Sequence, residues 1–272
     1  MSESERLDAY LVTSGQVTGR DKAKELIRAG SVTVNGVPVT KPSAMVSDGD
    51  TVVCTADTRY VGRGGFKLEA ALASLLPLPT PCTAMDVGAS TGGFTQCMLE
   101  GGADRVYAVD VGHGQLHPTL VADPRVVNLE GTDIRDQQKL SVIAPHSIDL
   151  LAMDVSFISV HTVLPSVLSY LHDGARLLIL IKPQFEAGRA DIGKNGIVRD
   201  RRVHVRVLRE MCERFDACGC GLQQLTASPI TGGAGRQDGN IEYIAVLTYG
   251  APSAATPDLR RLVDETFERF KH

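Results

Sequence analysis

Apolar residues change their pattern near residue 60, and the longer part of the chain lies after that change. From residue 64 onward, short apolar runs alternate with stretches of helical periodicity, and seven of the runs are typical of buried strands. These runs cover residues 84–87, 105–109, 126–129, 148–153, 176–181, 223–227 and 243–249. Strands that alternate with helices favour an open, mostly parallel sheet with helices on both faces.

The last strand of this sheet is expected to run against the others. Residues 228–241 form a Gly-rich connection without helical periodicity, so no crossover helix precedes residues 243–249. A parallel connection normally needs such a crossover. The sequence therefore predicts an α/β protein with a Rossmann-like, seven-stranded sheet whose last strand is antiparallel. Residues 65–76 and 258–270 are predicted to be helices.

The chain before residue 60 predicts a small α+β unit. Leu7 and Leu11 have helical spacing, a second apolar-periodic stretch ends at Gly30, and Asn35-Gly36 separates two short β-type runs as in a type I′ hairpin. We therefore expect a small domain at residues 1–58, a linker at 59–63 and the large domain at 64–272.

Composition favours an ordinary globular protein. Hydrophobic residues make up 43% of the 272-residue chain, charged residues 22%, and the net charge is −4, so a nucleic-acid partner must be sought in local charge. The first residues lack a signal-peptide core, no apolar run is long enough to span a bilayer, and the six cysteines are scattered. We expect a cytoplasmic protein with reduced thiols, no membrane association and no metal site.

The run Leu177-Leu-Ile-Leu-Ile181 is a buried strand that ends in Lys182 and then Pro183. An ammonium group there is costly unless it is paired or used. Asp154 follows the fourth strand of the predicted sheet, and Glu242 begins the antiparallel last strand. Both should meet Lys182 at one edge, because ligands bind at the carboxyl ends of parallel strands. Lys67, on the helix before the first strand, is a fourth candidate.

A glycine-rich loop runs from Asp86 to Phe94, directly after the first strand of the predicted sheet. It has neither the spacing of a dinucleotide fingerprint nor the Lys of a P-loop. Asp110 and Asp133 follow the next two strands, where they could meet a ribose and an adenine. A lone loop of this kind can be a simple tight turn, but the ordered set predicts an S-adenosyl-L-methionine site. The candidate cofactor residues are Asp86, Gly88, Ser90, Gly92, Gly93, Phe94, Asp110, Val111, Asp133, Ile134 and Asp154.

Basic residues cluster in two places. Arg20 to Arg28 contains four of them around one short helix, although residues 1–60 hold seven Lys/Arg against eight Asp/Glu. Residues 182–214 hold nine Lys/Arg against five Asp/Glu. Either cluster could follow RNA phosphates, and either could be an ordinary solvated helix face.

The order RLDAYLV, GRDKAKELIRAGSVTVNG and DGDTVV resembles the RNA-binding domain first described in the fourth protein of the small ribosomal subunit. Gly19 stands where that family usually has Ser. The resemblance implies RNA binding by the first domain. The candidate RNA-binding residues are Arg6, Arg20, Lys22, Lys24, Arg28, Lys41, Arg63 and Lys194.

The set Lys67, Asp154, Lys182 and Glu242 resembles the Lys-Asp-Lys-Glu set of FtsJ-type ribose 2′-O-methyltransferases. The segments GRGGFKLEAAL, DVGASTGGF, AVDVGHGQL, MDVSFIS, LIKPQFE, SPITGG and GNIEY resemble the TlyA family, whose members carry the label hemolysin A. This resemblance implies 2′-O-methylation of ribosomal RNA at cytidine, in 16S or 23S rRNA or both. It also implies ribosomal subunits as partners and catalytic roles for the four residues.

Two local departures bear on these expectations. Thr91 and Phe94 differ from the FtsJ nucleotide loop, which leaves individual cofactor contacts open. Asp154-Val-Ser-Phe157 lacks the two prolines of amino-group methyltransferases, which argues against a base amine as the acceptor.

Our mechanistic hypothesis makes Lys182 the base or transient proton holder, oriented by Asp154 and Glu242, with Lys67 steadying the acceptor. Simpler alternatives are a Lys182 side chain that extends into water and a Glu242 that is only an edge charge. At the level of function, the alternatives are a non-catalytic RNA-binding or ribosome assembly factor and a membrane-lytic hemolysin.

Overall fold

The computed structural model describes residues 4–17, 19–54, 59–75, 77–193, 195–232 and 239–270. The chain divides into two compact units. The described residues up to Val61, together with Gly239, form unit 1, and those of 62–232 and 240–270 form unit 2. The predicted linker at residues 59–63 stays a prediction.

Unit 1 contains two short helices and two small antiparallel sheets. Its elements are β1 (Ser4–Arg6), α1 (Leu7–Thr13), α2 (Arg20–Arg28), β2 (Val32–Val34), β3 (Val37–Pro38), β4 (Met45–Ser47) and β5 (Val52–Cys54). Strand β1 pairs with β4, and β2 pairs with both β3 and β5. Asn35 and Gly36 both have positive φ, which a type I′ turn requires. The predicted hairpin is therefore confirmed.

The core of unit 1 is small and built from the apolar face of each helix. Leu7 and Leu11 of α1 and Ile27 of α2 are fully buried, and they pack with Val32 and Val46 from the two sheets. The helical spacing in the sequence is therefore explained by burial of one face of each helix.

Unit 2 is built around one seven-stranded sheet. Its strands are β6 (Thr83–Val87), β7 (Arg105–Asp110), β8 (Val126–Glu130), β9 (Ile148–Met153), β10 (Leu171–Ile181), β11 (Cys220–Ala227) and β12 (Tyr243–Tyr249). Their order across the sheet is β11-β12-β10-β9-β6-β7-β8. Strand β12 is antiparallel to both of its neighbours, while β6 to β10 pair in parallel. The predicted fold class is confirmed.

Helices precede, connect and follow these strands. They are α3 (Gly64–Ala73), α4 (Gly93–Glu100), α5 (Pro118–Val121), α6 (Val160–Val163), α7 (Pro183–Glu186), α8 (Arg201–Ala217) and α9 (Leu259–Phe270). Helix α3 ends before the predicted residue 76, and β10 begins five positions before the predicted residue 176. The part of β10 that the prediction left out contains Gly174 at positive φ, and its pairing with β9 shifts register between Leu171 and Arg176. These irregularities interrupt the apolar pattern by which a strand is predicted.

The register of the sheet sets which loops meet. Val87 pairs with both Val109 and Met153, and Ile181 pairs with Tyr243. The residues that follow β6, β7, β9 and β10 therefore lie at one edge of the sheet. The start of β12 lies there as well, because that strand runs in the opposite direction.

Candidate active site

Lys67 and Glu242 form the first half of a buried charged set at this edge. Lys67 lies on α3, and its Nζ donates to Glu242 Oε2 at 2.6 Å. Glu242 immediately precedes β12, and its side chain packs against Gly232 so closely that a Cβ there would collide with the carboxylate. The glycine of SPITGG thus leaves room for the acid of GNIEY.

Lys182 and Asp154 form the second half. Lys182 follows β10 and precedes Pro183 of α7, and its Nζ lies 2.6 Å from Asp154 Oδ1 and donates to Ser156 Oγ at 2.8 Å. Lys67 Nζ lies 3.8 Å from the other oxygen of Asp154. The structure therefore brings the four predicted catalytic residues together as a row: Glu242, Lys67, Asp154, Lys182.

Alternation of charge makes this row tolerable in the protein interior. The side chains are only 3%, 10%, 17% and 8% exposed, in the same order. Buried ions cost several kcal/mol each unless partners compensate them, and here each acid touches a lysine. The alternatives of a solvated Lys182 and a solvated Glu242 are wrong, because both side chains are buried and paired.

A cavity of about 530 Å³ adjoins the row: Asp154 of the row lines it, as does Ser156, the hydrogen-bond partner of Lys182. Seven predicted cofactor residues line it: Gly88, Ser90, Asp110, Val111, Asp133, Ile134 and Asp154. The wall is completed by other residues, which include Gly112, Gln115, Thr132, Arg135 and Phe157. The volume lies within the range of small-molecule pockets.

Backbone groups shape the floor of the cavity around Gly88 and Asp110. Gly88 has φ +88°, and a Cβ there would lie 2.6 Å from the carbonyl oxygen of Asp154. Asp110 Oδ2 accepts the N–H of Ser90 at 2.8 Å, and its Oδ1 accepts the N–H of Gly112 at 2.7 Å. Each carboxylate oxygen can accept a further hydrogen bond, so Asp110 can still receive hydroxyl groups of a ligand.

Asp133 is bound more tightly to the protein than the sequence suggests. Arg135 holds both of its carboxylate oxygens, and these hydrogen bonds lower the pKa of Asp133 to about 2. Asp133 is therefore a fixed negative charge on the cavity wall.

Four other predicted cofactor residues are not among the residues that line this cavity, and their assignment stays a prediction: Asp86, Gly92, Gly93 and Phe94. A Cβ on Gly92 would meet Leu116 and Leu120, and one on Gly93 would lie 2.8 Å from the backbone N of Gly65. These glycines permit close packing behind the loop. The sequence pattern cannot distinguish such a role from ligand contact.

Asp86 is fully buried behind the cavity. Its Oδ2 accepts the hydroxyl of Thr95 at 2.6 Å, whereas Oδ1 has no hydrogen-bond partner among the described residues. Burial raises the pKa of Asp86 to about 7, although the Thr95 hydroxyl opposes this shift.

Ser156 and Phe157 are site residues that the sequence analysis did not assign. Ser156 accepts a hydrogen bond from Lys182. Phe157 has φ +64°, its side chain is 93% exposed, and its ring centroid lies 5.2 Å from that of Phe185. Both lie in the run MDVSFIS, directly after β9 and close to Asp154 in the sequence. This position is the feature from which their place in the site could have been predicted.

Unit 1 contains a second buried acid with two cations. Asp8 is fully buried; Arg6 binds both of its oxygens at 3.0 and 2.9 Å, and Arg20 Nη2 lies 3.3 Å from Oδ1. The two arginine side chains stay 46% and 55% exposed. Asp8 lies in the first turn of α1, where acidic residues are common. Its position in the sequence therefore gave no sign that it would be buried.

The other candidate RNA-binding residues are more scattered. Lys22 and Lys24 pair with Glu25 and Asp21 on their own helix, while Arg28 and Lys41 are exposed. Arg63 Nη2 donates to the carbonyl oxygen of Thr231 at 2.9 Å within unit 2. Lys194 lies outside the described residues. The RNA-binding roles stay predictions.

The described residues contain no group of three or more His, Cys, Asp or Glu that could hold a metal ion. Among them, no helix has both the length and the apolar character needed to cross a bilayer.

Comparison with known sequence families places two matches on the chain. Residues 60–249 match the FtsJ-like methyltransferase family, and residues 5–52 match the S4 domain. The boundaries follow the change in apolar pattern near residue 60.

Individual relatives cover nearly the whole chain. A Bacillus subtilis protein named as the rRNA methyltransferase YqxC is 41% identical over 99% of this chain and 96% of its own. The Mycobacterium tuberculosis protein named 16S/23S rRNA (cytidine-2′-O)-methyltransferase TlyA is 39% identical over 89% of each chain. A solved structure described as a hemolysin from Streptococcus thermophilus has a TM-score of 0.74 and 37% identity, and it covers 98% of this chain and 97% of its own.

Proposed function

Because the chain belongs to the FtsJ-like methyltransferase family, we propose that it methylates ribose 2′-hydroxyl groups of ribosomal RNA with S-adenosyl-L-methionine as donor. The observation that carries the proposal is the buried row of Glu242, Lys67, Asp154 and Lys182, which adjoins a cavity through Asp154. A hydroxyl acceptor must lose a proton as the methyl group arrives, and this row offers groups that can take one.

The cavity suits the proposed donor. Asp110 and Asp133 supply carboxylates for the nucleoside part, and Gly88, which lines the cavity, lets its loop pack closely against the backbone of Asp154. Three carboxylates on the wall favour a cationic ligand over a pyrophosphate, which would need cations and helix N-terminal amides. When bound, the donor supplies an electrophilic methyl group on a positively charged sulfur.

Lys182 takes the proton in this proposal. Lys182 first loses its own proton to water, and its neutral Nζ then accepts the proton from the 2′-hydroxyl as the oxygen–methyl bond forms and the bond between the methyl carbon and the donor sulfur breaks. Asp154, at 2.6 Å, then pairs with the resulting ammonium. Ser156 fixes the direction of the amine from its other side. General-base groups of this kind contribute about 10²- to 10⁴-fold to rate.

Lys67 and Glu242 hold the far end of the row. Lys67 touches both acids, so it keeps Asp154 from turning away from Lys182. Glu242 balances the charge of Lys67 inside the protein. Most of the remaining rate would come from alignment of the reacting atoms.

The exposed ring of Phe157 borders the cavity next to Asp154. An exposed aromatic ring is a suitable surface for an unstacked base, because RNA sequence is read mainly on unpaired nucleotides. Cytidine is the proposed nucleoside, since the Mycobacterium tuberculosis relative is named for it. Unit 1 would contribute RNA affinity through Arg6 and Arg20.

The decisive experiment uses ribosomal subunits with a labelled methyl donor, followed by mapping of 2′-O-methyl nucleotides. The wild-type chain should label rRNA on ribose. Lys182→Ala should lower the rate by about 10²-fold or more and leave donor affinity within about twofold. Arg176→Ala, which removes an exposed cation from the same strand, is the matched control and should stay active.

Two results would contradict the proposal. Absence of label with the wild-type chain would favour a non-catalytic assembly factor. Normal ribose methylation by Lys182→Ala, with intact donor binding, would remove Lys182 from the reaction.

A further inference from the structure

Glu186 is a buried acid with no part in the proposed proton transfer. It is the last residue of α7, and Lys182 immediately precedes that helix. Its Oε2 accepts the hydroxyl of Ser159 at 2.5 Å, and its Oε1 accepts the backbone N–H of Val160 at 2.8 Å. Ser159 immediately precedes α6 and Val160 is its first residue, so both donors lie after β9 at the N-terminal end of α6.

The same two segments touch at two other points. Lys182 Nζ donates to Ser156 Oγ, and the rings of Phe185 and Phe157 lie 5.2 Å apart. The contacts run in the same order along both segments: Ser156 with Lys182, Phe157 with Phe185, and Ser159 and Val160 with Glu186. We call residues 156–160 and 182–186, joined by these contacts, the paired loops.

Glu186 and Lys182 are mechanically linked by one helical turn. The N–H of Phe185 donates to the carbonyl oxygen of Lys182 at 2.9 Å, and that of Ala187 donates to Pro183 at 2.8 Å. A shift of Glu186 therefore turns the backbone that carries Lys182. A lysine side chain has four flexible bonds, so its Nζ is held in place only if its backbone is held.

A carboxylate is a costly means of joining two loops. Burial raises the pKa of Glu186, and the hydrogen bonds from Ser159 and Val160 oppose the shift. An apolar side chain would fill the same volume without that cost. What it could not supply is a directed pair of acceptors that fixes the angle between α7 and α6.

We propose that Glu186 is a positioning residue that sets the direction of Lys182 Nζ toward Asp154 by locking the paired loops. The proposal rests on the proposed function of Lys182. Glu186 itself does not line the cavity and has no hydrogen bond to Lys182 or Asp154 among the described contacts.

The first test measures kcat, KM for ribosomal subunits and Kd for the methyl donor. Glu186→Ala removes both acceptors and should lower kcat by about 10- to 100-fold, because small misplacement of a reacting group is costly. KM and donor Kd should stay within about twofold. Glu186→Gln keeps the length and can still bond both partners, so it should recover most of kcat.

Controls separate positioning from simple destabilisation. Val263→Ala removes buried volume in the same unit and should lower thermal stability with kcat per folded molecule unchanged. In a Lys182→Ala background, Glu186→Ala should cause no further loss, because its effect passes through Lys182. Unchanged kcat in Glu186→Ala, or a loss that persists without Lys182, would overturn the proposal.

A crystal structure of Glu186→Ala gives a readout that does not depend on the reaction. The distance from Lys182 Nζ to Asp154 Oδ1, now 2.6 Å, should lengthen beyond contact. An unmoved Lys182 would overturn the proposal. Failure of the proposed function is distinct, because it appears as absence of ribose methylation by the wild-type chain.

Discussion

Each unit buries an aspartate completely, yet the two acids are in opposite states. In unit 1, Asp8 lies between Arg6 and Arg20, and these arginines hold its pKa near 2. In unit 2, Asp86 accepts hydrogen bonds from Thr95, and burial, together with the nearby acids Asp154 and Asp110, raises its pKa to about 7. The states differ because the surroundings differ: Asp8 is paired with two arginines that stay about half exposed, whereas Asp86 lies deep in unit 2, where burial favours its protonated form.

The cations show the same division. Unit 1 uses arginines, which stay protonated, and leaves them about half exposed. Unit 2 uses lysines, which can release a proton, and buries them in the row with Asp154 and Glu242. Unit 1 is therefore suited to binding with fixed charge, and unit 2 to chemistry that moves a proton.

Exchanging the cation type in unit 2 should have the largest effect. Lys182→Arg keeps the positive charge and the pairing with Asp154 but removes the ability to become neutral. Methyl transfer to rRNA should fall by about 10²-fold or more, with donor affinity little changed. Retained activity would mean that Lys182 acts only through its positive charge. It would contradict the distinction between fixed charge in unit 1 and proton transfer in unit 2.

Removing the fixed acid of unit 1 should cost stability. Asp8→Asn leaves two adjacent arginines without a counter-charge and should lower the free energy of unfolding by about 2 kcal/mol. The pKa of Asp8 is depressed from 3.8 to about 2, so its contribution is complete above pH 4 and is lost as pH falls through 2. Urea unfolding of the full-length wild type and of Asp8→Asn should show that the difference between their free energies of unfolding decreases as pH falls toward 2.

An exposed acid supplies the comparison for that measurement. Asp21 pairs with Lys24 on the surface of α2. Asp21→Asn should have almost the same free energy of unfolding as the wild type. An equal loss of stability in Asp21→Asn and Asp8→Asn would contradict a specific stabilising role for Asp8.

Asp86 should show the opposite pH dependence. Its pKa is raised from 3.8 to about 7, so the wild-type fold is favoured at low pH and loses stability as pH rises toward 7. Asp86→Asn removes this penalty. The stability of the variant relative to wild type should rise by up to about 1.4 kcal/mol per pH unit between pH 4 and 7 and then level off. Thr95→Val should move that window to higher pH, because the hydroxyl lowers the pKa.

The smallest effect is expected for Arg6→Lys. The lysine keeps one positive charge but loses the two-pronged contact with Asp8. Affinity for ribosomal subunits should fall by about two- to threefold at low salt, with kcat unchanged at saturating substrate. A large fall in kcat would show that unit 1 does more than bind.

The sequence predicted the sheet well because strand burial and alternation leave a clear pattern. Lys67, Asp154, Lys182 and Glu242 were also identified, since isolated charges at strand ends contrast with the apolar runs around them. Their pairing depends on the register of β10 against β9 and on the position of β12 in the sheet, which no local pattern encodes.

Other residues left weaker signals in the sequence. Glu186 looks like any acid at the end of a short helix, and Asp8 like any acid in a first turn. Gly92, Gly93 and Phe94 share a motif with Gly88, but only the backbone path decides which of them face the cavity. The roles of these residues depend on packing between segments that are distant in the sequence, and residue type alone does not predict them.

The insertion of β12 between β10 and β11 has a consequence for biosynthesis. Lys67 leaves the ribosome 175 residues before Glu242, the partner that neutralises it. A nascent chain that stops before Glu242 would have most of the sheet and all the residues that line the cavity, yet an unbalanced row. The charge set is complete only once Glu242, which immediately precedes the last strand, has joined it.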